Sequence, residues 1–264
     1  FAGTRSDVVP WVRTADGVVY DGDDQVRQVR IGTDARVADG HSGLEVFGSA
    51  RSGNGTFVTG IDVGNSGTAS IGQGALAGPF VPDDYRIEIV AGAAGPDYRV
   101  LDGGGAVVAS GSYESGGAIE FAGVRVVVSG APEVGDAFSV TPSAPITMFE
   151  AVQGLIDAVA LPDLGPAART MRTGAQDAAL ADLDAALNRI VEVRAGIGSR
   201  LGFVATQKEL GESLELNTEE AASSIRDVDL VEAIVALESQ ATSLEAAQRA
   251  FARIQGLNLF RFLG

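Results

Sequence analysis

Leu180-Ala-Asp-Leu-Asp-Ala-Ala-Leu-Asn-Arg-Ile-Val-Glu-Val-Arg-Ala-Gly-Ile-Gly-Ser-Arg-Leu201 places Leu180, Leu183, Leu187, Ile190, Arg194, Ile197 and Leu201 at alternating steps of three and four, and Val204 extends the series. That spacing predicts a coiled-coil seam on a helix running from about 175 to 213. At 1.5 Å per residue such a helix is about 60 Å long. A narrow apolar seam of that length is not stable alone, because helices in proteins draw their stability from packing an apolar face. Leu187, Ile190, Arg194, Ile197, Gly198, Leu201 and Gly202 are therefore expected to pack against another helix of the chain.

Gly196, Gly198 and Gly202 lie inside this helix, and each costs roughly 0.8–1 kcal/mol relative to alanine. With Ala195 and Ala205, Gly198 and Gly202 form a small-residue stripe that a neighbouring backbone could approach closely; a locally bent helix is the other reading. Arg194 either fixes the register of the seam or snorkels to solvent.

Downstream, Leu230, Ile234, Leu237, Ala241, Leu244, Ala247, Phe251 and Ile254 mark a second long helix, which leads into Leu257-Asn-Leu-Phe-Arg-Phe-Leu263. A monomer has no use for so apolar a tail, which points to a protein that completes itself by assembly. Asn217-Thr-Glu-Glu220 has the form of a capping box, and Asp227 or Asp229 is a second N-cap, so a break between 214 and 229 is expected.

The chain before Thr147 is of another kind. Residues 1–145 hold 26 of the 35 glycines and seven of the nine prolines, which predicts turns joining short strands. Tyr85-Arg-Ile-Glu-Ile, Tyr98-Arg-Val, Ile119-Glu-Phe and Val124-Arg-Val-Val-Val128 alternate between turns at 94–97, 102–105, 122–123 and 129–132, as an antiparallel sheet with one wet face does. Gln28-Val-Arg-Ile31 and Gly43-Leu-Glu-Val-Phe47 read as a separate hairpin, and 49–82 as strands joined by long loops. A short amphipathic helix spans Met148 to Val159 and stops before Pro162; a loop through Gly165, Pro166 and Gly174 follows. The fold class is α+β. Its expected divisions are a β-hairpin part (1–49), a β domain (50–142), a helical core domain (143–216) and a terminal helix (217–264).

Composition removes several functions. With 35 acidic and 19 basic residues the formal charge is −16, which repels phosphate backbones and argues against nucleic-acid binding. The chain has no cysteine and one histidine, His41, so thiolate chemistry and imidazole-rich metal sites are excluded within one chain. No apolar run reaches the roughly 18 residues of a membrane span, and no secretory leader precedes the first strand. The chain begins at Phe1 rather than Met, from which removal of a preceding segment is expected.

Isolated motifs read blandly. Asp21-Gly-Asp-Asp24 lacks the later ligands of a calcium loop and reads as an acidic turn. Gly72-Gln-Gly-Ala-Leu-Ala77 lacks the strand-to-helix unit of a dinucleotide site. Asn54-Gly-Thr56 has the form of a glycosylation sequon without further support, His41 has no evident acid partner and reads as a turn residue, and Trp11 reads as packing at a domain junction. No catalytic, metal or cofactor-binding residue and no cofactor is expected.

Ser223-Ser-Ile-Arg-Asp-Val-Asp229 and Val193-Arg-Ala-Gly-Ile-Gly-Ser-Arg-Leu201 resemble the C-terminal signature of bacterial flagellins and their relatives. Phe1-Ala-Gly-Thr-Arg5, Tyr20-Asp-Gly-Asp23, Gly135-Asp-Ala-Phe-Ser-Val-Thr-Pro142, the helix from Thr147 and the closing Leu257–Leu263 are similar, more narrowly, to the hook-filament junction family (hook-associated protein 3). The resemblance implies an extracellular structural subunit joining the hook side of the flagellum to the filament. It implies flagellin, hook-associated protein 1, a ring of its own copies and a type III export chaperone as partners, and export through the flagellar type III apparatus. It also implies axial packing by Ile234, Leu237, Leu244, Phe251, Ile254, Leu257, Leu259 and Phe260. The family's paired N-terminal helices have no counterpart ahead of the β half, which leaves 175–204 and 230–254 without their expected mates. An adhesin-like binding module at 50–142, or a flagellin proper, is the alternative; an enzyme is a distant third.

Overall fold

The computed structural model describes residues 1–15, 17–32, 34–226 and 230–256. Two ribbons open the chain. β1 (Trp11–Thr14) pairs with β2 (Gly17–Tyr20), and β3 (Gln28–Arg30) pairs with β4 (Arg36–Ala38). The partner expected for β3, Gly43–Phe47, is instead the helix α1. Ser42 holds an extended backbone and its hydroxyl accepts the Glu45 N–H at 3.1 Å, so an N-cap decides a segment too short for its periodicity to settle.

β5 (Ala50–Arg51), β6 (Phe57–Ile61), β7 (Ser70–Ile71), β8 (Ala75–Leu76), β9 (Tyr85–Ala91), β10 (Pro96–Leu101), β11 (Val107–Ser112), β12 (Ala118–Phe121), β13 (Val124–Ser129) and β14 (Ala137–Pro142) follow. From β6 to β14 they form two antiparallel sheets rather than one. One has the order β11-β10-β9-β14-β6; the other is β12-β13-β7, with β8 also paired to β13. Alternation sends Tyr85, Ile87 and Ile89 of β9 and Val124, Val126 and Val128 of β13 inward, where they share one core with Phe57, Val100, Phe121, Phe138 and Val140.

Polar side chains close the loops around this core. The buried Asp136 carboxylate accepts the N–H groups of Ser66 at 2.8 Å, Glu133 at 2.9 Å and Gly67 at 3.1 Å. The Asn65 amide pairs with both backbone groups of Ala137, at 2.8 and 2.9 Å, as a strand residue would. Between β12 and β13 the turn is Ala122-Gly123, both at positive φ, and a methyl group on Gly123 would lie 2.1 Å from the Pro79 carbonyl oxygen.

The excursion begins and ends at one place. β15 (Pro145–Ile146) pairs with β5; Ser52 N–H donates to the Ala144 carbonyl at 3.0 Å, and the Ser143 hydroxyl to the Ser52 carbonyl at 2.7 Å.

α2 (Met148–Ala160) starts at a capping box: Thr147 Oγ1 accepts the Glu150 N–H at 3.0 Å while Glu150 accepts the Thr147 N–H at 2.7 Å. It stops at Leu161, the residue before Pro162, where proline disfavours helix. α3 (Pro166–Arg226) begins nine residues before the expected Ala175, because Pro166 serves as its first residue and needs no N–H partner there. Gly174 lies inside the helix and not in a loop.

The chain divides into two compact units, Phe1–Phe203 and Val204–Gly264. The second unit holds the rest of α3 and α4 (Leu230–Gly256), and its described residues are exposed except Val204, Gln207 and Ala222. α3 runs through Asn217-Thr-Glu-Glu220 without a cap; the Thr218 hydroxyl donates back to the Leu214 carbonyl at 2.7 Å, as a threonine inside a helix does. Asp227 and Asp229 lie outside the described residues, between the end of α3 and the start of α4.

Candidate assembly surfaces on the long helices

Within the first unit, α3 buries Ala179, Ala186 and Val193, spaced by seven. These small residues bring the helix backbone close to the β half. A methyl group on Gly174 would lie 2.7 Å from Ile61 Cδ1. Polar groups complete the same attachment: Asp182 accepts the Gly53 N–H at 2.7 Å, Arg189 Nε donates to the Glu45 carbonyl at 3.1 Å, and Arg200 Nη1 donates to the Ala38 carbonyl at 3.0 Å.

The apolar seam read from the sequence lies one residue further on, rotated by about 100° around the helix. Leu187 and Leu201 are at least half exposed, Ile197 is 39% exposed, Ile190 is half-buried, and Arg194, Gly198 and Gly202 are exposed. A methyl group added at Gly196, Gly198 or Gly202 would meet nothing within 4 Å. α3 therefore has one face committed to the β half and another, largely apolar, that is open.

α4 is open on the apolar stripe. Ile234, Leu237, Leu244, Phe251 and Ile254 are between 49% and 68% exposed. Leu257, Leu259 and Phe260 lie outside the described residues. Glu245 and Arg249 form an i,i+4 ion pair on the same helix.

Sequence reasoning missed Gly174, Asp182, Arg189 and Arg200. Their signal was the seven-residue interval of Ala179, Ala186 and Val193 beside a louder leucine series. His41 does have an acid partner: its Nδ1 is 2.9 Å from Glu45 Oε2. Glu45 follows four residues later on α1, a helix that the strand reading had hidden. Trp11 packs at a tilt between Tyr20 and Phe149, each with centroids 4.9 Å away, so it ties β1 to β2 and α2. In the acidic turn, Asp23 accepts the Thr4 hydroxyl at 2.6 Å and the Thr4 N–H at 2.8 Å, and Asp21 meets Arg5.

The electrostatics are those of local structure. The Thr4 hydroxyl, then the Thr4 N–H, holds Asp23 below the ordinary carboxylate value, while the Gly64 N–H, then Arg86, does so for Asp62. Burial, followed by Asp83 and Asp102, raises Tyr85. Among the described residues no group of three or more His, Asp or Glu converges as metal ligands would, and no helix is long and apolar enough to cross a membrane.

The bacterial flagellin C-terminal helical region matches residues 180–263. Flagellar hook-associated protein 3 of Escherichia coli (strain K12) is 35% identical over 75 residues, 28% of this chain; the match spans 24% of that relative's length. The flagellar junction protein FlgL from Legionella pneumophila superposes with a TM-score of 0.78 at 29% identity, over 84% of this chain and 72% of that one. The chain is similar in sequence and fold to flagellar junction proteins.

FlgL from Xanthomonas campestris gives a TM-score of 0.76 at 28% identity, over 85% of this chain and 72% of that one. The α+β order, antiparallel sheets followed by long helices, is thus the junction-protein arrangement that the motifs implied. By name these proteins are a flagellar hook-associated protein and flagellar junction proteins.

Proposed function

We propose that this chain is a structural subunit of the bacterial flagellum that joins the hook to the flagellin filament by helical self-assembly. The observation that carries the reading is the open apolar stripe of α4, Ile234, Leu237, Leu244, Phe251 and Ile254, on a helix within the flagellin-matching segment. Fully burying one such side chain contributes about 1.5–3 kcal/mol, so a repeated contact along the stripe is enough to drive a polymer of identical subunits. Heterologous contacts repeated with a rotation and a rise build a helical tube without any catalytic group.

In this reading Ile234, Leu237, Leu244, Phe251, Ile254, Leu257, Leu259 and Phe260 pack axially, while Leu187, Ile190, Arg194, Ile197, Gly198, Leu201 and Gly202 pack against a helical mate. The partners are flagellin, hook-associated protein 1 and further copies in a ring; delivery is by a type III chaperone and export apparatus to the extracellular flagellum. The relatives favour neither an adhesin-like module at 50–142 nor a flagellin proper.

The test is attachment. Full-length protein should join flagellin to hook-associated protein 1 and support filament growth, while protein truncated before Ser223 should not. Normal filament attachment by the truncated form overturns the reading.

A further inference from the structure

The apolar stripe of α4 has the same spacing from either end. From Ile234 through Leu237, Ala241, Leu244 and Ala247 to Phe251 and Ile254 its steps are three, four, three, three, four and three residues, mirrored about Leu244. Ile234 is thus matched by Ile254, Leu237 by Phe251 and Ala241 by Ala247. Every described residue of the helix is exposed, Leu237, Leu244, Phe251 and Ile254 by more than 60%.

A parallel pair of identical helices matches any spacing to itself, whereas an antiparallel pair needs a spacing that survives reversal. The charges select the same orientation. Glu232 and Glu238 lie in the first half of α4, Arg249 and Arg253 in the second, and Glu245 is already paired with Arg249. Parallel copies would set acid beside acid and base beside base. Antiparallel copies set the acidic half beside the basic half and oppose their macrodipoles. Ala241 and Ala247 flank Leu244, so two such helices can cross closely at their centre. The six steps cover twenty residues, a period shorter than 3.6, which winds the pair left-handed.

We propose that α4 binds a second copy of itself, antiparallel about a two-fold axis at Leu244, so that the free chain is a dimer. An isologous contact of this kind closes on itself and admits no third copy. It occupies the same side chains that pack axially in the flagellar reading, so the pair has to open before the stripe can enter a tube. That opening rests on the assembly reading; the pairing does not.

The chain has no cysteine, so cysteines placed on α4 report its neighbours directly. Under mild oxidation Leu244→Cys should form a disulfide with its own copy, while Ser239→Cys, on the far side of the helix, should not. Leu237→Cys and Phe251→Cys chains mixed in equal amounts should give far more of the mixed dimer than of either homodimer. Sedimentation equilibrium of the unsubstituted chain should show monomer and dimer exchanging with concentration. Leu244→Glu should weaken that association at least about tenfold, and Ser239→Glu should leave it unchanged, with the same helical circular dichroism for both. Should the glutamate at 244 lower the helix content, the cross-links alone decide. A chain that stays monomeric, homodimers of Leu237→Cys in excess of the mixed dimer, or equal effects of the two glutamate variants on an intact helix overturns the pairing. If the pairing fails while truncation before Ser223 still abolishes attachment, the assembly reading stands; if the truncated chain attaches normally while the cross-links form, the pairing stands and the assembly reading falls.

Discussion

The Asp182 carboxylate of α3 accepts the backbone N–H of Gly53 at 2.7 Å, across 129 residues of chain. It fixes the long helix to the loop that leads into β6. Asp182→Ala leaves that half-buried N–H without its acceptor and should cost about 1–3 kcal/mol in urea unfolding. A variant as stable as the parent would show that Ala179, Ala186 and Val193, with Arg189 and Arg200, hold the helix without it.

Gly198 separates the needs of the monomer from those of the assembly. With nothing within 4 Å of an added methyl group, Gly198→Ala should stabilise α3 by about 1 kcal/mol in the isolated chain, read as a higher thermal midpoint. If a neighbouring helix approaches there, Gly198→Leu should also fold normally yet fail to restore filament attachment.

Asp136 is a buried acceptor of N–H groups from three residues. Asp136→Ala orphans them together and should cost on the order of 3 kcal/mol, seen as a lower urea midpoint. Faster amide exchange should be confined to 62–67 and 131–137 if those loops open before the sheets do.

At Gly123, positive φ and the nearby Pro79 carbonyl act in the same direction. Gly123→Ala should destabilise the β half by about 1–3 kcal/mol, whereas Gly55→Ala, also at positive φ but with open space around it, should cost less. Thermal melts of the two variants, compared side by side, test the ranking.

Thr4 makes part of the stability depend on pH. Asp23 is held below its ordinary value of about 3.8, so its contribution is complete above that value and is lost as pH falls through the lowered folded value. Thr4→Val removes the hydroxyl that does most to hold Asp23 low, and should flatten the acid limb of a stability curve below about pH 4 while leaving the neutral limb parallel. An unaltered acid limb would assign it to other carboxylates, with Asp62 the next to examine.

Long periods were readable and local decisions were not. The alternation of Tyr85, Ile87 and Ile89 and of Val124, Val126 and Val128 marked real core strands, because each buried one face against the other sheet. The leucine steps at 180, 183 and 187 marked a real helix, yet its attachment to the β half runs through alanines, whose value lies in closeness rather than hydrophobicity. Gly43–Phe47 was misread since a single N-cap hydroxyl outweighs five residues of alternation. Thr147 and Glu150 spelled a capping box that the glycine and proline count overshadowed, while Asn217-Thr-Glu-Glu220 spelled one that the helix passes through. A cap motif acts only where the cap residue itself leaves helical geometry, as Thr147 does.

Ser52 and Ser143, bonded to one another across 91 residues, close the β sandwich at its entry and exit as one cassette. Material added to or removed from that cassette shifts no residue of α3 relative to another, so the heptad phase is insulated from it.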